Sequence, residues 1–425
     1  MNKSHKYDLE TDIAIIGAGP AGSTTSIALS KAGVRHVIFD KATFPRDKVC
    51  GDAFSGKVVQ IFKKLDPSIL EGIYREESKF LGSWGITFVA PNGKSLHIPF
   101  KLDGGLNTGN KGKEPPPGFI SRRYDFDNYL VGRLDPDSAD MRFGANVVGF
   151  EHLDHGILIN YRQNGGHGTC LARLVIGAGG DRSIVAKKLA GHKMEPEHYC
   201  AGVRAYYENV DGLHEQNFIE LHFLRELLPG YFWIFPLPNN LVNVGVGMRS
   251  AKARKKEVNI KKAMLHTIHE HPDIKDRFKN AIPQGEIKGW GLPLGSKRRN
   301  LSGNRFMLVG DAASLIDPFT GEGIGNAMAS GIIAADIAKE AWQQRDFSSE
   351  FLREYDEVVY KELWGELKLS RTLQKLAELP WLFNFLVNKA RKNQSIRDII
   401  SCMFEDLDLR TKLRSPGFYL RLLVN

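Results

Sequence analysis

The sequence predicts an α/β + β protein: an α/β domain built on a parallel sheet, an antiparallel sheet domain, and a helical C-terminal segment. Three observations point there. The chain opens with an apolar run that leads into a glycine-rich turn and a helical pattern. A second strand, Gly-Asp turn and helix occurs in "NRFMLVGDAASLIDPFTGEGIGNAMAS". Between them, "SWGITFVA", "SLHIPF" and "GYFWIFPLPNNLVNVGVGM" alternate with the period of two expected of half-buried strands.

The opening motif is "TDIAIIGAGPAGSTTSIALSKAG". Ile13, Ala14, Ile15 and Ile16 form an apolar run suited to a buried parallel strand. The turn Gly17-Ala18-Gly19-Pro20-Ala21-Gly22 supplies the three glycines of GxGxxG. The first permits the tight turn, the second lets backbone approach a pyrophosphate, and the third lets helix pack on strand. The following helix points its amino end at that pyrophosphate. The next strand, "RHVIFD", ends in Asp40, whose carboxylate can accept hydrogen bonds from a ribose. The combination predicts a bound dinucleotide, which GxGxxG alone would not.

In the second glycine segment, Phe306–Val309 reads as a strand and Gly310-Asp311 as the turn at its end. Asp311 is placed to bind a ribityl hydroxyl. Gly321, Gly323 and Gly325 allow backbone to lie against a flat ring, with a helix amino end aimed at its polar edge. Between the two glycine segments, "LVIGAGGDRSIVAKKL" repeats strand, glycine turn and helix without GxGxxG spacing. "SRRYDFDNYL" contains Arg-x-x-Phe-Asp, with Arg123 at a helix start; Arg123 serves either a cofactor or a surface ion pair with Asp125 or Asp127.

Composition narrows the function classes. With 42% hydrophobic and 25% charged residues over 425 positions, the chain can bury a large core and has room for two or three domains. No apolar run is long enough to span a bilayer, and the N-terminus has no signal-peptide core, so a cytoplasmic location is expected. Four widely spaced cysteines without CxxC predict no metal and no iron–sulfur cluster. The net charge of +9 favours anionic partners. However, the basic runs "KARKKE" and "SKRRN" read as solvated surface, and no nucleic-acid module accompanies them.

Taken in order, GxGxxG, Arg-x-x-Phe-Asp, the Gly-Ala-Gly-Gly-Asp turn and the Gly-Asp…Pro…Gly-x-Gly segment resemble the p-hydroxybenzoate hydroxylase-like flavoprotein superfamily. The resemblance implies a Rossmann-like FAD-binding domain and FAD as cofactor. Two departures are Asp40, where the superfamily usually has Glu, and "GAGGDRS", where the Asp is displaced to Asp181. Matched residue by residue, Gly17, Gly19, Ala21, Gly22, Asp40 and Lys41 would serve the ADP half. Arg123, Val147, Asp311, Gly323 and Ile324 would serve the remaining FAD contacts.

"FPRDKVCGDAFS" resembles the geranylgeranyl reductase family, in which a Cys-Gly pair occupies this loop. That resemblance puts Cys50 and Gly51 near the flavin. By itself Cys50 reads either as a small buried hydrophobe or as a residue in contact with the chemistry. "GYFWIFPLPNNLVNVGVGM" reads as a hairpin with Pro-Asn-Asn near its turn, and its alternate residues Tyr231, Trp233 and Phe235 share one strand face, a pattern of core or of a binding wall. Tyr-x-Trp-x-Phe-Pro resembles the reductases' substrate-cavity motif, which implies Tyr231, Trp233, Phe235, Pro236 and Pro318 as substrate contacts and Cys50, Tyr231 and Trp233 as catalytic candidates. Arg204, Arg249 and Lys252 are candidate cations for a diphosphate head.

The expected organisation is a discontinuous FAD-binding domain (1–75, 115–190 and 295–345), an antiparallel-sheet substrate domain (76–114 and 191–294), and a C-terminal helical region (346–425). Residues 102–118, rich in Gly, Lys and Pro, read as a mobile loop. "LAELPWLFNFLVNKARK" is an apolar helix ending in cations, suited to packing, to capping a tunnel or to peripheral contact with the inner face of a membrane.

The resemblance implies hydride transfer from reduced flavin to carbon–carbon double bonds of a hydrophobic isoprenoid or lipid, with NAD(P)H or a small electron carrier as reductant. Two alternatives share the frame: a flavin-dependent monooxygenase or halogenase, and a non-catalytic flavoprotein redox sensor or electron-transfer partner.

Overall fold

A computed structural model describes residues 7–100 and 115–393. The expected loop at 102–118 lies almost wholly outside the described residues, as does the helical region beyond 393. The chain forms two compact units. One comprises Met1–Asp47, Tyr124–His198 and Leu292–Lys368; the other comprises Lys48–Arg123, Tyr199–Gly291 and Leu369–Asn425.

The first unit is the Rossmann-like α/β fold. In its eight-stranded sheet, Phe306–Leu308, Gly166–Gly177, Leu9–Ile16, His36–Asp40 and Ala139–Phe143 lie side by side in parallel. Ile13, Ala14 and Ile15 are wholly buried, as expected of a strand covered on both faces. The helix Pro20–Lys31 starts with Pro at its first turn, where the missing N–H costs nothing. It packs on the long helix Ile324–Gln344 at very short range. A Cβ on Gly331 would lie 2.7 Å from the Ala21 carbonyl oxygen, so only glycine permits this approach.

The second unit is built on a seven-stranded sheet. Its order is Ile282–Pro293, Tyr199–Glu208, Leu241–Arg249, Tyr231–Pro236, Ile219–His222, Gly85–Val89 and Ser95–Pro99. The expected hairpin is present, with Tyr231–Pro236 antiparallel to Leu241–Arg249. Asn239 and Asn240 make its turn, with φ of 61° and 59°. Two successive left-handed residues give the twist that antiparallel strands need, and asparagine tolerates that region best after glycine. The sheet also has a parallel pair, Ile219–His222 with Gly85–Val89, which the sequence pattern did not announce. Alternation carries no information on strand direction; the long excursion between residues 89 and 219 is what allows a parallel return.

One face of this sheet is a packed core. Phe232, Ile234, Val242, Val244, Val246 and Met248 point there with Ala205 and Tyr207, covered by Met264 and Ile268 of the helix Ile260–Glu270. The intervening residues must therefore point the other way.

Candidate functional site

In the first unit the glycine turn is held by backbone geometry. Gly17 has φ of 113°, and a Cβ there would lie 2.4 Å from the Ala178 carbonyl oxygen. A Cβ on Gly22 would lie 1.8 Å from the Gly17 carbonyl oxygen. Gly19 caps the helix without a side-chain hydrogen bond to its amino end, the arrangement that favours an anion. Asp40 ends its strand as expected. One carboxylate oxygen accepts from the Ala18 N–H at 2.8 Å and the other from the Ala42 N–H at 2.9 Å. Thus Asp40 also braces the glycine turn, a role that was not anticipated. Lys41 beside it is exposed. Arg46 pairs with Asp127 at 3.1 Å and stands 3.9 Å from Asp40.

The second glycine segment closes in the same unit. Asp311 lies in a short helical turn after Phe306–Leu308, and a Cβ on Gly323 would lie 3.6 Å from its Oδ1. Ile324 is the first residue of Ile324–Gln344. Glu322 accepts from the Gly325 N–H at 2.6 Å, so a side chain already occupies part of that helix amino end. Pro318 is buried in the preceding loop, where Asp317 accepts from the N–H groups of Phe319 and Thr320. Val147 is buried in Asn146–Leu153 opposite Tyr161.

The other candidates meet in the second unit. Tyr231, Trp233 and Phe235 lie on the sheet face opposite the helix-packed core, with ring centroids 6.3 and 6.2 Å apart along the row. Their partners on the next strand are Gly247, Gly245 and Asn243. A Cβ on Gly245 would fall 2.1 Å from the Trp233 ring, so the indole lies across a position that must be glycine. The Cys50–Gly51 turn lies on this row: a Cβ on Gly51 would be 3.0 Å from the Phe235 ring. Cys50 is half-buried and its thiol is free. Pro236 is buried at the end of the strand.

A buried polar network beneath this turn was not anticipated. Asp52 is wholly buried with φ of 68°. Its Oδ2 accepts from the Tyr206 hydroxyl at 2.7 Å and from Asn243 Nδ2 at 2.8 Å. Asn243 Nδ2 also donates to the Cys50 carbonyl oxygen at 2.8 Å, and Asn243 Oδ1 accepts from Trp233 Nε1 at 2.8 Å. Arg123, expected at a cofactor or in a surface ion pair, is buried with its backbone N–H directed at Asp52 Oδ1 at 3.3 Å. Burial raises the Asp52 acid to about 6, against the opposing pull of the Tyr206 and Asn243 hydrogen bonds and the Arg204 and Arg123 charges. The one sequence signal was Asn243, a polar side chain amid the valines of "LVNVGVGM".

Of the three candidate cations for a diphosphate, Arg204 and Arg249 are buried and Lys252 is partly buried. Arg204 is buried with its guanidinium 4.0 Å from the Tyr206 ring centroid. Arg249 and Lys252 share Glu378, at 2.7 and 2.5 Å. Among the described residues no group of His, Cys, Asp or Glu is arranged to hold a metal ion.

Comparison with known proteins agrees with this geometry. Residues 10–337 match the family described as FAD binding domain. The chain is 31% identical over 373 residues to a digeranylgeranylglycerophospholipid reductase of Methanococcus vannielii, covering 86% of this chain and 87% of that protein. It is 29% identical over 346 residues to a menaquinone reductase of Mycobacterium tuberculosis, covering 78% and 77% of the two chains. Among solved structures, a geranylgeranyl bacteriochlorophyll reductase-like protein of Thermoplasma acidophilum superposes with a TM-score of 0.75 at 23% identity, covering 89% of this chain and 91% of that one. A flavin-dependent brominase gives a TM-score of 0.75 at 20% identity, covering 97% and 100%. At such identities the structural likeness establishes the fold alone.

Proposed function

Since the chain belongs to the geranylgeranyl reductase family of FAD-dependent oxidoreductases, we propose that it saturates carbon–carbon double bonds in the prenyl chain of an isoprenoid lipid. The observation that carries this is the aromatic row Tyr231, Trp233 and Phe235, turned away from the packed core and met by the Cys50–Gly51 turn. An unactivated alkene offers no charge to bind, so what the protein contributes is a dry, shaped wall. Tyr231, Trp233, Phe235, Pro236 and Pro318 would contact the hydrocarbon, whose burial gains about 25 cal/mol per Å².

The glycine turns that a Cβ would block, and the uncapped helix amino end after Gly19, fit FAD. Gly17, Gly19, Ala21, Gly22, Asp40 and Lys41 would hold its ADP half. Arg123, Val147, Asp311, Gly323, Ile324, Cys50 and Gly51 would hold the rest. Bound FAD, reduced by NAD(P)H or a small electron carrier, would supply the hydride. Cys50, Tyr231 and Trp233 would be the catalytic side chains.

The free thiols of Cys50, Cys170 and Cys200 among the described residues and the form of the helix Pro380–Lys392 support work in the cytoplasm at the inner face of a membrane. Phe383, Val387 and Ala390 are buried, Phe383 at 4.5 Å from Phe223, whereas Trp381 and Phe385 are 67% and 49% exposed near Lys389, Arg391 and Lys392. No helix among the described residues is long and apolar enough to cross a bilayer. Vesicle cosedimentation tests this contact: anionic vesicles should retain the protein, and Trp381→Ser with Phe385→Ser should release it.

The activity itself is tested without air. The FAD-loaded protein, reduced with dithionite, is mixed with geranylgeranyl diphosphate, a geranylgeranyl glycerolipid or menaquinone. Flavin reoxidation with addition of paired hydrogens to one of them is expected. A flavin that stays reduced with all three until oxygen enters, followed by a hydroxylated or halogenated product, would replace this reading with an oxygen-using one.

A further inference from the structure

Four side chains of the second unit form one hydrogen-bonded chain: Trp233 Nε1 to Asn243 Oδ1, Asn243 Nδ2 to Asp52 Oδ2, and the Tyr206 hydroxyl to the same Asp52 oxygen. Both Asn243 and Asp52 are wholly buried. Asn243 uses its whole amide: the oxygen takes the indole, and the nitrogen serves both the Asp52 carboxylate and the Cys50 carbonyl oxygen. Strand register explains why these groups meet. Asn243 faces Phe235 on one neighbouring strand and Tyr206 on the other, so all three side chains rise on the same face. The backbone of Asp52 is also tied, its carbonyl oxygen accepting from the Ser121 N–H at 3.0 Å. A non-glycine residue held at φ of 68° with its carboxylate out of water is costly twice over. Neither cost serves packing that an apolar side chain would not provide better.

We infer that Asp52 is a positioning residue: through Asn243 it clamps the Cys50–Gly51 turn onto Trp233 and Phe235, and so fixes the turn against the aromatic row. The role in catalysis rests on reading that row as the substrate wall; the clamp itself does not. Groups facing the Asp52 carboxylate are Tyr206, Asn243, Arg204 and Arg123. Ionised, the carboxylate binds the Asn243 amide with a charge-assisted bond; protonated, it binds more weakly. The turn should therefore loosen as pH falls through about 6.

The test needs no substrate. Alkylation of Cys50 by iodoacetamide is followed by peptide mass spectrometry in the full-length protein, with rates corrected for thiol ionisation. Asp52→Ala and Asn243→Ala should raise the corrected rate about tenfold or more through opening of the turn. Asp52→Asn, which keeps an acceptor for Asn243, should restore it to within a few-fold of wild type. Wild type should alkylate faster as pH falls through about 6, and Asp52→Asn should show no such dependence. Alanine variants that fold and alkylate within twofold of wild type would overturn the clamp. If they do not fold, a flat corrected wild-type profile through that pH overturns it instead. On a working substrate, the clamp further requires Asp52→Ala to lose kcat about ten- to a hundredfold, with Asp52→Asn close to wild type. A wild type that reduces no prenyl substrate would defeat the reductase reading while leaving the alkylation result to stand on its own.

Discussion

The glycine turn of the first unit and the aromatic row of the second are both places where a residue type is compelled, but by different parts of the chain. At Gly17 and Gly22 the compulsion is backbone on backbone: a Cβ would meet a main-chain carbonyl within 2.4 and 1.8 Å. At Gly245 the neighbouring strands exclude a Cβ, which would lie 2.1 Å from the Trp233 indole and 2.4 Å from the Val203 carbonyl oxygen. The first kind of constraint recurs wherever a strand turns tightly into a helix against a pyrophosphate, and it leaves a spacing that can be read directly. The second depends on which strands become neighbours, and its spacing belongs to this sheet.

The sharpest way to break that comparison is Gly22→Val. Two β-branches at a position with no room for one should abolish FAD binding, seen as colourless protein after purification with excess FAD. Retained FAD would mean that the turn can relax and that the backbone argument is wrong. Next is Trp233→Ala, which removes a ring buried over Gly245 and leaves the Asn243 oxygen without its donor; about 3–5 kcal/mol of stability should be lost, measured by urea unfolding. Gly245→Ala introduced beside it should remain harmful, because the Val203 carbonyl oxygen stays 2.4 Å from the new Cβ after the ring has gone. If Gly245→Ala is tolerated there, the indole alone requires the glycine and the strand backbone can give way.

A smaller effect concerns Asp52. Burial pushes its acid in the folded protein up to about 6, from the ordinary value of 3.8. A group shifted in this direction lowers stability where it is ionised. The penalty is complete above the folded value and disappears as pH falls toward the unfolded one. Asp52→Asn should therefore be more stable than wild type at pH 8, by on the order of 3 kcal/mol, and equal to it near pH 4. Unfolding curves at the two values decide it, and a difference that does not shrink with pH would mean another group is responsible. Greater stability with a freer pH profile is what a carboxylate retained for positioning implies.

The smallest effect is expected at Cys50→Ser. The network holds the Cys50 carbonyl oxygen rather than its sulfur, so serine keeps the clamp. Turnover should fall by less than about tenfold. A loss of a hundredfold or more would assign the thiol itself a part in the reaction.

Legibility in the sequence followed the same division. The opening strand, the glycine turn, Asp40, the second glycine segment and the hairpin with its Asn-Asn turn could all be read, because each is determined by residues close in sequence. Asp52 and Tyr206 could not be. Nothing near residue 206 says that its hydroxyl will meet a carboxylate 154 positions away. The surroundings of Arg204, Arg249 and Lys252 were unreadable for a related reason: a cation's partners, here Tyr206 and Glu378, are not written beside it.

By itself the sequence determined the α/β and β character of the chain, the dinucleotide turn and the face on which Tyr231, Trp233 and Phe235 lie. Strand period and glycine sterics are local properties and need no knowledge of the fold. Only the tertiary structure decided which way that face points, what lies on it and how the Cys50 turn is held. The core side of the sheet was settled by where the helix Ile260–Glu270 packed, and the clamp by strand register that brings Tyr206, Asn243 and Phe235 abreast. Hydrogen bonds between groups far apart in the chain form only once chain folding has already brought them to within about 3 Å.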